Sequence, residues 1–235
     1  MKKIYVTTGF LTTFLLASLT GFAQTQSRPE IQKQIEARRA ELVELEKMYL
    51  EPSAEDRTRY AEFLRQPNTG LIRLLPREKF HFGEYYSFSA LTHEYVSGTD
   101  LGLEDGQIRS GFSGANYGFM TNLGDVRIEE VGPTTPGVTF FAAYKAPNEE
   151  PLARKEYSRF TYGAEIEKLP VASRMPLQAD TTYLLRSINY GISDVLVAIR
   201  VVRVDSDGSA VIVWKVLMRY ESPNLKPSAA PATVG

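Results

Sequence analysis

The clearest alternation of apolar and polar positions lies in DVLVAIRVVRVDSDGSAVIVWKVLMRY, residues 194–220. Two apolar runs flank Asp207 and Gly208, a pair that favours a two-residue β-turn because both turn positions require positive φ. The turn predicts an antiparallel hairpin whose apolar face consists of the pairs Val195–Tyr220, Val197–Met218, Ile199–Val216 and Val201–Trp214. A slip of one residue would turn Trp214 and Met218 to the opposite face, so turn and pattern support one register.

Shorter apolar segments precede the hairpin and predict a β domain over residues 70–222. We expect strands at 181–188 and 137–146, shorter strands at 106–114, 116–124 and 125–131, and one surface helix at 148–160. Residues 161–180 show no clear period and are expected to form a long connection. Several short strands at roughly 8–12 residue spacing favour an antiparallel β-sandwich or barrel.

Residues 24–66 follow a helical rather than an alternating pattern. Ser27 and Glu30 have the spacing of a capping box at the start of a helix. Apolar residues then recur at spacings of four and three, at Ile31, Ile35, Leu42, Leu45 and Tyr49, with Arg38 at one expected apolar position. The pattern predicts an amphipathic helix that ends at Glu51, because Pro52 disfavours helical geometry in the residue before it.

Two interpretations of the helix at 27–51 remain open. It lies on its own domain as a surface helix, or it pairs between chains as a coiled coil; its stripe spans about two heptads, fewer than most coiled coils show. A second, shorter helix is expected before Pro67. The chain is therefore predicted to be mainly β (α+β by content), an antiparallel β-sandwich or barrel preceded by an N-terminal amphipathic helical segment.

Residues 1–23 have the organisation of a secretory signal peptide. Lys2 and Lys3 precede an apolar run, and Gly21 and Ala23 fit a small-residue cleavage rule. A transmembrane anchor would need about 20 apolar residues, and threonines interrupt this run. We expect cleavage after Ala23 and export to a periplasm or the extracellular medium, with no transmembrane segment in the mature chain.

Charge and cysteine content narrow the function classes. The formal net charge is −1, and removing Lys2 and Lys3 with the signal peptide changes it by −2, to −3. This balance gives no reason to expect nucleic acid as a partner. The chain has no cysteine, which excludes thiol nucleophiles and thiolate zinc sites. Residues 223–235 are rich in proline and small side chains and are expected to form a disordered tail.

The segment HFGEYYSFSALTHEY, residues 81–95, contains both histidines of the chain. If residues 80–95 form one strand, His81 and His93 lie about 40 Å apart, too far for a shared metal. Gly83 is the one plausible pivot for a fold-back. Nothing here has the spacing of a zinc motif, so we predict no metal site and no cofactor.

His93 alone is a candidate general base, with Glu94 or Asp100 as the carboxylate that would orient it. The nearest serine, Ser113, lacks the glycine that a nucleophile elbow requires two residues later, since Ala115 stands there. The alternative interpretation is a partly exposed histidine at a strand end, without a catalytic role.

Tyrosines provide a second candidate binding feature. Tyr85 and Tyr95 are expected on the strand face opposite to the core aromatics, and Tyr117 and Tyr190 lie in glycine-bordered loops. A tyrosine offers a flat apolar ring and a hydroxyl, which suits stacking on sugars or peptides. The alternative is that these tyrosines complete the edges of the core.

These patterns leave three hypotheses of function. The first is an exported, non-catalytic binding or envelope-associated β module that recognises an unknown protein or glycan ligand. The second is a hydrolase-type enzyme that uses His93 with Glu94 or Asp100. The third is an adaptor that forms homo-oligomers through the helix at 27–51.

Overall fold

The structure, a computed structural model, describes residues 27–112 and 114–226. The predicted signal peptide at 1–23 therefore lies outside the described residues, as does most of the predicted tail at 223–235. Within the described ranges, no helix is long and apolar enough to cross a membrane.

Five α-helices and one 3-10 turn occur among the described residues. They are α1 (Arg28–Leu50), α2 (Ala54–Arg59), α3 (Ala61–Leu64), α4 (Val138–Ala143), α5 (Glu150–Tyr162) and the turn Ile128–Glu130. The capping box starts α1, since the amide of Ser27 donates to Glu30 Oε2 at 2.8 Å. The chain divides into two units between Leu42 and Val43, a boundary that falls within α1.

The larger sheet has five antiparallel strands in the order β1-β11-β10-β9-β5. Its strands are β1 (Thr69–Leu74), β5 (Tyr117–Gly124), β9 (Thr181–Asn189), β10 (Ser193–Val204) and β11 (Ala210–Tyr220). Every residue of β9 is buried, because strands flank it on both sides and apolar clusters cover both faces.

The smaller sheet has four antiparallel strands in the order β2-β3-β4-β8, and β6 and β7 form a separate pair. The strands are β2 (Tyr85–Tyr86), β3 (Leu101–Glu104), β4 (Gln107–Arg109), β6 (Ala164–Ile166), β7 (Leu169–Val171) and β8 (Arg174–Pro176). The mainly β, antiparallel prediction is confirmed. Among the described residues, no sheet closes into a barrel, because its first and last strands are not paired with each other.

Two apolar clusters cover the two faces of the larger sheet. The first combines Ile199 and Trp214 of that sheet with Tyr86, Leu101 and Ile108 of the smaller one, so both sheets contribute to one core. The second joins alternate residues of the same strands to α4 and α5 on the opposite face. The larger sheet therefore packs against the smaller sheet on one face and against the helices on the other.

β10 and β11 form the predicted hairpin, but the predicted register is wrong. Among the turn residues Ser206, Asp207 and Gly208, only Gly208 has positive φ (88°). The amide of Asp205 donates to the Ser209 carbonyl at 2.8 Å, so the connection is a three-residue loop that ends in glycine. Irregularities at Val202 and Leu217 then shift the pairing further. The observed partners include Val197–Val216, Ile199–Trp214 and Val201–Ile212.

These shifts change which side chains share the core. Trp214 lies in the first cluster with only 4% of its surface exposed, as predicted. Met218 and Tyr220, predicted beside it, instead pack against the second cluster on the opposite face. The extra residue at Leu217 causes this exchange, because one inserted residue reverses the alternation of every later side chain.

Three segments depart from their predicted secondary structure. Residues 137–146, expected as a strand, contain α4, and residues 125–131 contain the 3-10 turn Ile128–Glu130. Residues 161–180, expected as a connection, contain β6, β7 and β8. Periodicity alone does not distinguish a strand from a helix in short apolar runs. In the helical conformation of α4, Val138 and Phe141 lie on one face and both pack in the second cluster.

A buried ion pair joins β9 to β10. Arg186 Nε lies 2.6 Å from Asp194 Oδ1, and the two side chains are 1% and 5% exposed. The guanidinium also donates to the Phe141 carbonyl at 2.9 Å and faces the ring of Tyr220, with Cζ 3.3 Å from the centroid. Burial raises the pKa of Asp194, although Arg186 opposes this shift.

Candidate functional site

The segment that contains both histidines folds back on itself instead of forming one strand. Only Tyr85 and Tyr86 are in a strand, and the chain reverses so that Ser87 bridges to Thr92. Gly83 has a φ of 71°, which glycine adopts without steric cost. The assumption of a single extended strand over residues 80–95 is therefore wrong.

As a result, His81 and His93 border the same concave surface, which we call the cleft. It has a volume of about 560 Å³ and is lined by residues of the segments 43–52, 71–72 and 81–95. Its walls are the last turns of α1, the middle of β1 and the folded-back segment.

Gly83 allows the folded-back segment to lie close to α1. A Cβ atom at this position would collide with Leu50 Cδ2 and would lie 3.2 Å from Leu75 Cδ1. The amide of Leu75 also donates to the Gly83 carbonyl at 2.9 Å. The missing side chain of Gly83 thus helps to define the wall of the cleft.

Carboxylates outnumber cations around the cleft. The acidic residues that line it are Glu46, Glu51, Glu84 and Glu94. Lys47 is the one lysine or arginine among the described residues of the lining, so four negative charges and one positive charge give −3 with both histidines counted as neutral. Lys47 Nζ lies 2.8 Å from Glu44, outside the lining, and Glu51 pairs with Arg57.

His93 is held by the backbone rather than by a carboxylate. Its Nδ1 lies 3.1 Å from the Tyr85 carbonyl oxygen, which requires Nδ1 to carry the hydrogen and donate it. The ring meets Tyr86 edge-on at 5.0 Å between centroids. Burial lowers the pKa of His93 to about 4, although the carbonyls of Tyr85 and Gly83 oppose this shift. The imidazole is therefore neutral at pH 7.

The two carboxylates considered as partners of His93 lie elsewhere. Glu94 is exposed, and the hydrogen bond of its amide goes to Thr92 Oγ1 at 3.1 Å. Asp100 is fully buried, where its carboxylate accepts from the Phe88 amide at 2.8 Å and from Asn189 Nδ2 at 2.9 Å. Burial raises the pKa of Asp100 to about 6, against the effect of these donors. No hydrogen bond among the described residues joins His93 to either carboxylate.

Tyr85 and Tyr95 lie side by side at the cleft. Their ring centroids are 4.9 Å apart, and Phe112 packs against Tyr85 at 5.2 Å. Gly102 lies below these rings, since a Cβ there would be 3.0 Å from both Tyr85 and Phe112. Tyr95 is 56% exposed, so part of this aromatic group faces solvent.

Tyr117 and Tyr190 form a different group, remote from the cleft lining. Their rings are 6.3 Å apart, and the hydroxyl of Tyr117 lies 2.7 Å from that of Tyr144. Tyr117 is only 1% exposed, and Tyr190 donates to the Pro147 carbonyl at 2.6 Å. These two tyrosines complete the second apolar cluster and do not share a surface with Tyr85 and Tyr95.

Sequence reasoning therefore found His93, Glu94, Tyr85 and Tyr95 of the cleft and missed the rest of it. Glu84 and Leu50 carry no motif, and an extended strand places His81 about 40 Å from His93. The available signal was Gly83, the one pivot in the segment. Ser113, weighed as a nucleophile, lies outside the described residues.

Comparisons with known proteins give no family for this chain. No protein-family model matches it, and no curated protein or solved structure matches it either. Within residues 27–112 and 114–226, no group of three or more histidine, aspartate or glutamate side chains is arranged to hold a metal ion. The cleft itself is therefore the basis for a functional assignment.

Proposed function

We propose that the protein is an exported, non-catalytic binding module whose cleft holds a peptide segment with basic residues and one apolar side chain. The observation that carries this proposal is the formal charge of −3 on a concave lining that also contains apolar side chains. Pockets that combine an apolar wall with a few polar groups are the usual form of a ligand site.

The charge of the cleft favours a cationic ligand. Glu46 and Glu84 are half-buried, so their attraction for a guanidinium or ammonium group is screened less than that of fully exposed carboxylates. Arginine can contact a carboxylate through two parallel hydrogen bonds, which adds orientation as well as affinity. A neutral glycan has no cationic group to pair with these carboxylates, and we therefore prefer a protein ligand.

The apolar and aromatic walls favour one apolar side chain beside the basic ones. Leu50, Leu71 and Phe82 lie in the lining, and Tyr85 and Tyr95 stand at its edge. A tyrosine face also attracts a cation by about 0.5–1 kcal/mol at exposed sites. The same wall can therefore hold either the apolar or the basic part of the peptide.

Catalysis is the weaker interpretation of the same residues. A histidine general base needs a suitable pKa and a hydrogen-bonded orienting group. The pKa of His93 is lowered to about 4 by burial, which makes it a weak base, and its orienting partner is the Tyr85 carbonyl rather than a carboxylate. Both features suit a histidine that fixes the segment in place.

We further propose that the two sheets form a β-sandwich and that the chain is exported after cleavage at Ala23. The sandwich is supported by the first apolar cluster, to which both sheets contribute. Export is supported by the basic head, apolar run and small residues of positions 1–23. A mature N-terminus beginning at Gln24, found by sequencing the secreted or periplasmic protein, is the expected result.

The binding proposal is tested by calorimetric titration of the mature chain. The probe is acetyl-Arg-Leu-Arg-amide, and acetyl-Glu-Leu-Glu-amide is the matched control. Replacing Glu84→Gln and Glu94→Gln together should weaken binding of the basic peptide about tenfold, or about 1.4 kcal/mol. Glu165→Gln, at an exposed position on β6, is the control substitution and should change nothing.

Three outcomes would contradict the proposal. These are equal binding of both peptides, equal affinity of the cleft variant and the Glu165→Gln control, and binding of a neutral oligosaccharide with no response to the glutamate substitutions. Peptide hydrolysis during the titration that stops in a His93→Gln variant would instead establish the enzyme hypothesis.

A further inference from the structure

The helix α1 carries an apolar stripe that is exposed among the described residues. None of its 23 residues is buried. The stripe consists of Ile31, Ile35, Leu42 and Leu45, with exposed fractions of 43%, 47%, 53% and 55%. Tyr49, the last apolar residue of the predicted stripe, instead packs against Phe80 and Phe82 and is not part of this surface. It shares no residue with the cleft, which α1 lines through Val43, Glu46, Lys47 and Leu50. The stripe is thus a surface separate from the proposed ligand site.

An uncovered helix of this kind is expected to have a partner. Most helical stability in proteins comes from packing of an apolar face, and isolated helices are marginal in water. The four branched side chains recur at the spacing of one helix face, so a single partner helix would cover all of them together.

The charge of α1 indicates which partner fits. Its first half, residues 28–39, has Arg28, Lys33, Arg38 and Arg39 against Glu30 and Glu36, a net charge of +2. Its second half, residues 40–50, has Glu41, Glu44 and Glu46 against Lys47, a net charge of −2. The helix is therefore complementary to a reversed copy of itself.

We infer that α1 pairs with α1 of a second copy of this chain, in antiparallel orientation. The basic half of each helix then lies along the acidic half of the other, whereas a parallel pair would align like charges along the full length. A twofold axis near the middle of α1 makes both halves of the interface identical. Arg38, at the position between Ile35 and Leu42, comes to lie near Glu41 of the other copy.

Sedimentation equilibrium of the mature chain tests the pairing. We expect a monomer–dimer equilibrium that weakens between about 0.01 M and about 1 M salt, because the screening length falls from about 30 Å to about 3 Å. Ile35→Ser with Leu42→Ser should raise the dissociation constant at least tenfold, on the order of the loss of two buried apolar side chains. Ala37→Ser with Ala40→Ser, away from the stripe, is the matched control. A monomer at every concentration, or equal effects of both pairs of substitutions, overturns the inference.

Orientation is tested by cysteine cross-linking, which is clean because the chain has no cysteine of its own. Gln32→Cys and Glu46→Cys place thiols on one flank of the stripe, each seven residues from Arg39 at the middle of α1. In an antiparallel pair the two variants cross-link on mixing, and neither cross-links efficiently with itself. Efficient cross-linking of each variant with itself would show a parallel pair and overturn the proposed orientation.

Discussion

Two buried aspartates, in different regions of the molecule, are held in opposite ways. Asp194, in the larger sheet, pairs with the buried guanidinium of Arg186. Asp100, next to the folded-back segment, accepts hydrogen bonds only from neutral donors among the described residues, and burial raises its pKa to about 6. The sheet thus offsets a buried carboxylate with a counterion, whereas Asp100 is held by neutral hydrogen-bond donors alone.

This difference determines how the stability of each region depends on pH. Arg186 offsets part of the desolvation cost of Asp194, whereas a carboxylate or imidazole without a counterion bears this cost alone, and its shifted pKa couples folding to pH. The region near the cleft contains two such groups, Asp100 and His93, whose pKa values are shifted in opposite directions by burial. We expect substitutions in the two regions to differ both in size and in pH dependence.

The largest effect is expected from breaking the ion pair in the sheet. Asp194→Asn leaves the charge of Arg186 buried without its counterion and should lower the free energy of unfolding by about 3–5 kcal/mol. Replacing both residues, with Arg186→Met and Asp194→Leu, should recover much of this loss because no buried charge then remains. Denaturant unfolding measures both values. A loss under about 1 kcal/mol for the single variant would contradict the role assigned to the pair.

The pH dependence of stability should reveal the two groups near the cleft. The raised pKa of Asp100 means that its contribution is present below its unfolded value of 3.8 and is lost as pH rises towards about 6. The lowered pKa of His93 has the opposite sign, so its contribution is lost as pH falls from 6.5 towards about 4. Each shift corresponds to about 3 kcal/mol, and the two slopes largely cancel between about pH 4 and 6.

Removing one group at a time separates these slopes. In Asp100→Asn, the free energy of unfolding should rise with pH from about 4 to 6.5, and in His93→Gln it should fall from about pH 4 to 6. Urea unfolding at a series of pH values measures both profiles. Identical profiles for the two variants would show that neither group is buried in the way described.

A smaller effect is expected at the glycine that shapes the cleft. Gly83→Ala should lower the free energy of unfolding by about 2 kcal/mol, because it adds backbone strain and displaces Leu50. Gly106→Ala is a close control, since Gly106 also has positive φ (67°) but has no atom within 4 Å of the added carbon. It should cost about 1 kcal/mol from strain alone. Equal losses at the two glycines would mean that Leu50 does not pack on Gly83.

The large sheet was the part most accessible to sequence reasoning. The predicted strand at 181–188 corresponds to β9 and the predicted helix at 148–160 to α5. The β10–β11 hairpin was recognised, but its register depends on single inserted residues at Val202 and Leu217 that the alternating pattern does not mark. A bulge changes spacing without changing composition.

The cleft could be predicted only in part, for a related reason. The residues of 81–95 alternate as a strand does, yet Gly83 and the reversal between Ser87 and Thr92 fold them back. The lining also draws on α1 and β1, which lie in other parts of the sequence. Long-range packing of this kind leaves no local period, so Glu84 and His81 gave no signal of a shared site.

The most direct test of the central claim is amide chemical-shift mapping of the mature chain during titration with acetyl-Arg-Leu-Arg-amide. We expect saturable shifts in residues 43–52, 71–72 and 81–95, which line the cleft, and small shifts in the strand at 181–189. Shifts confined to other surfaces, or none at saturating peptide, would contradict the assignment of the cleft as a site for basic peptides.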